Sequence, residues 1–481
     1  MRISFINPLL GGDFSALDIA ITTLATYVNE RSRHKASIID LTFRRRHWKS
    51  ALKKSIKKDH PDTIAISCNT MNMQYVNTIM QEVASEYNLP IILGGHHASI
   101  YPDETISMPA CDAVCIGDGE APLVEFLDRK EDNETMEGAR GIWAKEKGKI
   151  IRNLGGSFRE NLDDLPTLNW DLWEDLDKYF YYLGMLYMIG SRGCPYSCSY
   201  CDAQGIKEAV PGRYFRLRDP VSYAQEIAYQ WHKYRNRNLR LAQLFDPVFT
   251  MNDDWVSAFC REYRRLGIHK EFRFSVFSRL DHLNEQKIKD LAQSGCAILR
   301  VGIEAGDHYI RQKIYKKDIT DELIKKMFKL AEENGIIFTA YYILGGPAET
   351  PGTIEKTIRF ASELDAARSA FFIYKPFTKE GEKLLLKHGG RIVMSRWRKA
   401  DNITFDAVVY TKDLTPTVIE RYQRKAYLLT FGRRLIRMIL RQKLGYFIRL
   451  IIYMLKGLKD GLSYLYLLCY YHIYGYENVD K

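Results

Sequence analysis

The sequence predicts an α/β protein. A doubly wound parallel sheet comes first, a curved, partly closed (β/α)6 sheet follows, and a mostly helical C-terminal region ends the chain. Three observations predict this. Short apolar runs alternate with helical patterns over residues 1–130; the alternation recurs as six units between 187 and 376; basic charge then gathers after residue 420. At 481 residues the chain exceeds one ordinary core, and 46% hydrophobic with 27% charged residues suits a soluble globular protein.

The first series opens with the strand RISFIN (2–7). A strand and loop there, without a charged segment before a long apolar one, are not expected of a signal peptide. A helical pattern follows over 16–28, then SIID (37–40), a basic helix, TIAISC (63–68), a helix over 74–87, IILGG (91–95), DAVCIG (112–117) and the helical EAPLVEFL (120–127). Such sheets bind ligands at the carboxyl ends of their strands. The loops there are 7–13, 67–73, 94–97 and 117–120, all small, polar or glycine-rich.

Residues 136–185 read as a linker with a hairpin over 141–153, turning at Lys147-Gly148. The second series has strands at 187–191, 241–246, 272–278, 298–305, 336–345 and 370–374, separated by helical patterns at 221–234, 254–266, 284–294, 319–334 and 352–364. Domains are expected at 1–135, 136–185 (the linker), 186–390 and 391–481.

Charge is uneven. Net charge is +11, and residues 421–460 hold eleven Lys and Arg against one acid, Asp460. Within 431–476, Arg433, Arg434, Arg437, Arg441, Arg449, Lys456 and Lys459 share a helical arc of about 160°. No uncharged run there reaches the roughly 18 residues of a transmembrane span. The pattern fits an interfacial helix on anionic lipid, or a helical cap with a solvated basic face. It is too apolar for a nucleic-acid arm.

Nine cysteines in a chain without an export signal suit a reducing compartment, the cytoplasm. Three of them, Cys194, Cys198 and Cys201, form C-x3-C-x2-C in SRGCPYSCSYC, on the loop after the first strand of the second series. A structural zinc site takes four ligands, and no fourth Cys or His lies nearby. Three thiolates suit a four-iron cluster with one iron left open; packed or zinc-bound thiols are the alternative.

The motif, with Tyr200 before its last cysteine, resembles the signature of the radical S-adenosylmethionine (SAM) superfamily. The resemblance implies a 4Fe-4S cluster whose open iron binds SAM and whose electron cleaves it to a 5′-deoxyadenosyl radical. Downstream segments agree in order. LFDPVF (244–249) resembles the second strand's end and implies Asp246 near the SAM amino group, although Pro247 stands where a second acid is usual. FSRLDHL (277–283) implies Arg279 as a SAM-facing group. VGIEAGD (301–307) implies Glu304 as a SAM contact, with Ala305 replacing the usual serine. YYILGGPAET (341–350) resembles the segment packing on adenine and implies Gly345, Gly346 and Glu349. No catalytic residue beyond the cluster ligands is implied.

ILGGHHASIYPDE (92–104) and CIGDGEAPLVEFL (115–127) resemble loops of the cobalamin-binding, Rossmann-like domain that precedes many radical SAM domains. That likeness implies a cobalamin site drawing on Asn7, Ser67, Gly94, Gly95, His96, His97, Gly117, Gly119 and Glu120. Glycines allow positive φ and close approach to a planar ligand. The Asp-x-His-x-x-Gly motif that supplies a cobalt ligand in classical cobalamin domains does not occur in residues 1–130. Cobalamin held without a histidine from that motif is expected.

The function implied is cobalamin-dependent methyl transfer to an unactivated carbon or phosphorus centre. Radical oxidation, cyclisation or ring rearrangement without methyl transfer is the chemical alternative; a non-catalytic iron–sulfur or corrinoid carrier is the alternative of another class. Expected partners are a small-molecule or lipid-like substrate, a reductase, flavodoxin or ferredoxin as electron donor, and a membrane surface touching 431–476.

Overall fold

The structure, a computed structural model, describes residues 1–11, 17–364, 366, 368–400 and 404–440. Most of the basic segment 431–476, the end of the 7–13 loop and Cys469 therefore lie outside the described residues. The chain divides into two compact units, Met1–Lys178 with Asp202–Arg216, and Tyr179–Cys201 with the chain from Leu217.

The first unit is built on β1 (Arg2–Asn7), β2 (Lys35–Asp40), β3 (Thr63–Ser67), β4 (Ile91–Gly94), β5 (Ala113–Cys115), β6 (Ile142–Glu146) and β7 (Lys149–Arg152), in the order β2-β1-β3-β4-β5-β6-β7. The pairs joining β1 to β5 are parallel, as expected of strands joined by helices. Helices cover both faces, which is why the strands read as nearly continuous apolar runs. Ile6, Ile39, Ile64, Ile66, Ile91 and Leu93 are buried in one core. The order reverses between β1 and β3, the usual crevice for a ligand.

The hairpin at 141–153 forms, and its first strand pairs antiparallel with β5, so it extends this sheet. Lys147 and Gly148 both have positive φ, the geometry of a tight hairpin turn. The aromatic segment after it is pinned: the Trp173 indole donates to Thr22 Oγ1 at 2.8 Å. The helix Ala203–Ala209 belongs to this unit and packs on the short helix His96–Ile100. At Gly205 an added Cβ would sit 3.1 Å from Ile100 Cδ1, so glycine permits that approach.

The second unit is built on β8 (Met185–Met188), β9 (Leu241–Leu244), β10 (Arg273–Ser278), β11 (Cys296–Glu304), β12 (Ile337–Leu344) and β13 (Arg368–Ile373). All six are parallel and neighbours in sequence are neighbours in the sheet, the order of a partial (β/α)6 barrel. Helices cover one face. Phe259 and Tyr263 of the helix Asp253–Arg265 pack edge-on against Phe274 of β10. Ser275 and Phe277, alternating with Phe274 and Val276, point to the other face. The helix Pro416–Leu440 docks on β13, where Gln423 Nε2 donates to the Phe371 carbonyl at 2.6 Å. Among the described residues, no helix is long and apolar enough to cross a membrane.

Candidate functional site

In the second unit the cysteine loop leaves β8 through Gly190 and Ser191. Both are held by Asp246, just past the end of β9. Its Oδ1 accepts from Gly190 N at 2.9 Å and Ser191 Oγ at 2.6 Å, and its Oδ2 accepts from Tyr223 OH at 3.2 Å. Asp246 is fully buried, and burial outweighs these hydrogen bonds, pushing the carboxyl up to about 6. Tyr223 closes the packing: a Cβ at Gly190 would lie 2.5 Å from its ring. The carboxylate implied as a SAM contact is thus turned toward the loop's first residues.

Cys194, Cys198 and Cys201 are half-buried on that loop. Cys201 N donates to the Cys198 carbonyl at 3.1 Å, and Ser199 Oγ donates to the Ile314 carbonyl at 2.6 Å, fixing the middle of the loop. Arg279, after β10, lies 3.5 Å from Cys198 Sγ through Nη1. Its guanidinium sits 3.6 Å over the Tyr196 ring and forks onto Asp281 at 3.0 and 2.8 Å. The guanidinium thus places a fixed positive charge beside the Cys198 sulfur. Among the described residues, no three His, Cys, Asp or Glu gather as they would around a single ion. A four-iron cluster makes no such demand, because each thiolate binds a different iron. The donor set fits it.

The other described cysteines are buried, and burial pushes the Cys68, Cys111 and Cys115 thiols up to about 12. They are packing groups.

Glu304 ends β11 with φ +71°, the left-handed region that costs a non-glycine residue about 1–2 kcal/mol. Its Oε1 accepts from Lys317 Nζ at 2.9 Å and from Tyr200 OH at 2.8 Å. Glu304 and Lys317 are both buried, so this is a desolvated ion pair. A Cβ at Gly302 would fall 1.9 Å from Glu304 Oε1; the carboxylate folds back over that glycine. Through Tyr200, the β11 end is joined to the residue preceding Cys201.

After β12, Gly345 adopts φ +80° and packs on Ile419, while Gly346 N donates to Glu349 Oε2 at 2.9 Å. Burial pushes the Glu349 carboxyl up to about 8, which leaves it protonated at neutral pH. Among the described residues, Glu349 Oε1 and Tyr315 OH are buried without hydrogen-bond partners. Tyr315 OH lies where a Gly346 side chain would begin. Two orphaned polar atoms beside a glycine turn fit a polar cofactor at the strand ends. Asp281 lies inside FSRLDHL without having been singled out there; Lys317 and Tyr315 carry no motif, and nothing in the sequence signals them beyond proximity to elements already singled out.

The first unit's expected residues lie at the carboxyl ends of β1, β3, β4 and β5. Asn7 is committed inside the protein, donating to Asp40 Oδ1 and Thr42 Oγ1 at 3.1 Å each. Ser67 ends β3 and Gly94 ends β4. Gly95 has φ +97°, and a Cβ there would lie 2.7 Å from the Cys68 carbonyl. Gly117, φ +87°, packs on Val210, and Gly119 on Leu24. The protein's own packing thus requires these glycines, apart from any ligand. Glu120 is buried at the start of the helix Glu120–Glu131.

His96 and His97 open the helix His96–Ile100. His97 is buried, its Nδ1 lies 3.2 Å from Thr70 Oγ1, and burial pushes it down to about 4, so it is neutral. Its Nε2 has no hydrogen bond among the described residues; Glu104 stands 3.9 Å away. His96 is exposed, with Nδ1 2.7 Å from Asp202 Oδ2. Two imidazoles at these strand ends, one with an orphaned buried nitrogen, suit a corrinoid site.

The comparisons with known proteins agree with this division. The Radical SAM superfamily model matches residues 188–361, and the B12 binding domain model matches residues 13–127. The chain is 28% identical over 427 residues to an uncharacterized methyltransferase, PH0819, of Pyrococcus horikoshii, covering 86% of this chain and 88% of that one. It is 26% identical over 332 residues to the anaerobic magnesium-protoporphyrin IX monomethyl ester cyclase of Rubrivivax gelatinosus, covering 66% of this chain and 57% of the cyclase. Its fold resembles the radical S-adenosylmethionine methyltransferase TsrM of Kitasatospora setae, with a TM-score of 0.66, 19% identity, and coverage of 81% of this chain and 77% of that one. A B12-binding domain followed by a radical SAM domain, on the two sheets described, makes the chain a member of the radical SAM enzymes that carry a cobalamin-binding domain.

Proposed function

We propose that the enzyme transfers a methyl group to an unactivated carbon or phosphorus centre of a small or lipid-like molecule. The observation carrying this is the pairing of a three-thiolate loop with a B12-binding domain, in a chain whose relative over 88% of its length is named a methyltransferase. When bound, the 4Fe-4S cluster supplies the electron that cleaves SAM, and cobalamin supplies a methyl carrier.

The chain's residues divide the work. Cys194, Cys198 and Cys201 hold the cluster, and Arg279 keeps a positive charge against Cys198. Asp246 sets the loop's entry, and Glu304, through Tyr200, its exit. Gly345, Gly346 and Glu349, with Tyr315, receive SAM. Asn7, Ser67, Gly94, Gly95, His96, His97, Gly117, Gly119 and Glu120 form the corrinoid end of the first sheet. The domain boundaries expected from the sequence, 1–135, 136–185, 186–390 and 391–481, remain the working division.

A second reading rests on the cyclase relative: radical oxidation or ring formation without methyl transfer. SAM carrying a deuterated methyl group separates the two, because only the first reading puts the label into product. Failure of the reduced, cluster-loaded enzyme to cleave SAM with candidate substrates present would favour a carrier role. A flavodoxin, ferredoxin or reductase serves as electron donor, in the cytoplasm. The basic segment 431–476 motivates peripheral binding to the inner membrane face and a lipid-like substrate. Failure to bind anionic liposomes at low salt would remove that support.

A further inference from the structure

We infer that the substrate is an aromatic oxyanion, whose ring stacks on an arc of aromatic side chains inside the second sheet and whose anionic group accepts from the Tyr341 hydroxyl. This rests on the catalytic reading proposed above and names the class of molecule acted on. The face of the sheet turned away from its helices carries both parts. Along it Tyr187, Phe245, Phe277, Tyr341 and Phe372 stand ring beside ring, with successive centroids 5.4, 5.6, 6.2 and 5.6 Å apart. They come from β8, the end of β9, β10, β12 and β13, so the arc crosses the sheet from edge to edge. Barrel interiors are ordinarily filled by branched aliphatic side chains. Here Phe245 is 37% exposed, and Phe277, Tyr341 and Phe372 are partly exposed. Open rings on the inner face of a curved sheet suit a flat apolar ligand.

Strand β11 puts no ring into the arc. It supplies Arg300 instead, in register with Phe277 and 5.8 Å from that ring. Charge on these strands is one-sided. The six hold Arg273, Arg300 and Arg368 against one acid, Glu304, which Lys317 engages. Arg300 is buried and donates to Ser275 Oγ at 3.0 Å and to Tyr341 OH at 3.2 Å. Ser275 Oγ donates in turn to Gln243 Oε1 at 2.6 Å, which fixes the guanidinium from below. A phenol oxygen that accepts from Arg300 keeps its own proton to give. Desolvation within the barrel would raise the Tyr341 phenol, and the charges of Arg300 and Arg368 outweigh it, drawing it below its ordinary value. A hydroxyl polarised in this way is a strong donor to an anion. Arg300 therefore acts as a positioning residue behind Tyr341. Phe245 and Phe372 stand at the ends of β9 and β13, whereas Tyr341 lies three residues before the end of β12, roughly 10 Å down the strand. The ring is thus held at the strand ends, where Glu304 and the Gly345–Gly346 turn stand, and the anionic arm points down into the sheet.

Calorimetric titration of the full-length, cluster-loaded enzyme in the presence of SAM tests this. The probes are naphthaleneacetate, naphthyl phosphate, the uncharged naphthaleneethanol and the ring-free decanoate. At least one naphthyl anion should bind tenfold or more tightly than both the alcohol and decanoate, and the tighter of the two anions identifies the oxyanion as carboxylate or phosphate. Tyr341→Phe keeps the ring and should weaken the anions about ten- to hundredfold and the alcohol less than about twofold. Arg300→Gln should lose the same preference, and Arg300→Lys should recover part of it. Phe245→Ala, at an exposed position, should weaken all three naphthyl probes about two- to tenfold and leave decanoate unchanged. Equal binding of anion and alcohol, anion binding unchanged in Tyr341→Phe, decanoate binding as tightly as the naphthyl anions, or no binding by any probe each overturns the inference. SAM cleavage by the same preparation then leaves the catalytic reading standing; failure of the cluster-loaded enzyme to cleave SAM overturns that reading as well.

Discussion

Asp246 offers the sharpest test, because its geometry and its resemblance-derived role diverge. Replacing it with alanine removes the acceptor for Gly190 N, Ser191 Oγ and Tyr223 OH, all buried. Leaving such donors unpaired costs about 1–3 kcal/mol each, so the second unit should lose about 3–9 kcal/mol. Asparagine keeps an acceptor for the loop and cannot ionise. The wild-type carboxyl stands at about 6 against 3.8 for the free group, so between those values the folded state binds more protons than the unfolded. Stability conferred by the raised value is fully present below about pH 4 and is lost as pH rises through about 6, a change of about 3 kcal/mol. In Asp246→Asn that slope should vanish. Urea unfolding of the cluster-free protein, followed anaerobically across this pH range, measures it. Iron and sulfide content after reconstitution should be near wild type for asparagine and strongly reduced for alanine. Wild-type iron in the alanine variant would refute the anchoring role. A more than tenfold loss of SAM affinity in a fully loaded asparagine variant would show that the carboxylate serves SAM instead.

Serine at Cys194, Cys198 or Cys201 should each abolish the cluster's visible absorbance and SAM cleavage, measured anaerobically after reconstitution. Lys317→Met leaves Glu304 as an uncompensated buried charge and should cost about 3–5 kcal/mol by denaturant unfolding, more than the double replacement Glu304→Gln with Lys317→Met. Glu349 stands at about 8, so its contribution is present below about pH 4.5 and lost as pH rises through about 8. Glu349→Gln mimics the protonated acid and should flatten the unfolding profile over that range, while changing stability below about pH 4.5, where the wild-type acid is protonated in both states, by less than about 1.5 kcal/mol.

The strands of both sheets were legible because parallel strands covered by helices must be apolar along their length, and turn residues mark their ends. The three-cysteine motif was legible by its spacing, and the loops after β9 to β12 by the order in which their segments follow it. Orientation at the loop ends was not. An acid at position 246 reads alike whether it faces a ligand or the Gly190 amide, and only the buried Tyr223 beside it decides. Helices as short as His96–Ile100 and Ala203–Ala209 lack enough turns to show a period. His96 and Asp202 are 106 residues apart, and no local pattern foretells their meeting. Strand β5 is shorter than its apolar run because Asp112 side-chain Oδ2 takes the Ile91 amide and Gly117 turns the chain away.

The Asp246 contacts with Gly190 and Ser191 use no cysteine and no metal. The entry to the loop therefore keeps its shape when the cluster is destroyed, as oxygen destroys exposed iron–sulfur centres. Loss of the cluster would therefore remove inorganic parts from a frame whose entry is set by the protein's own contacts.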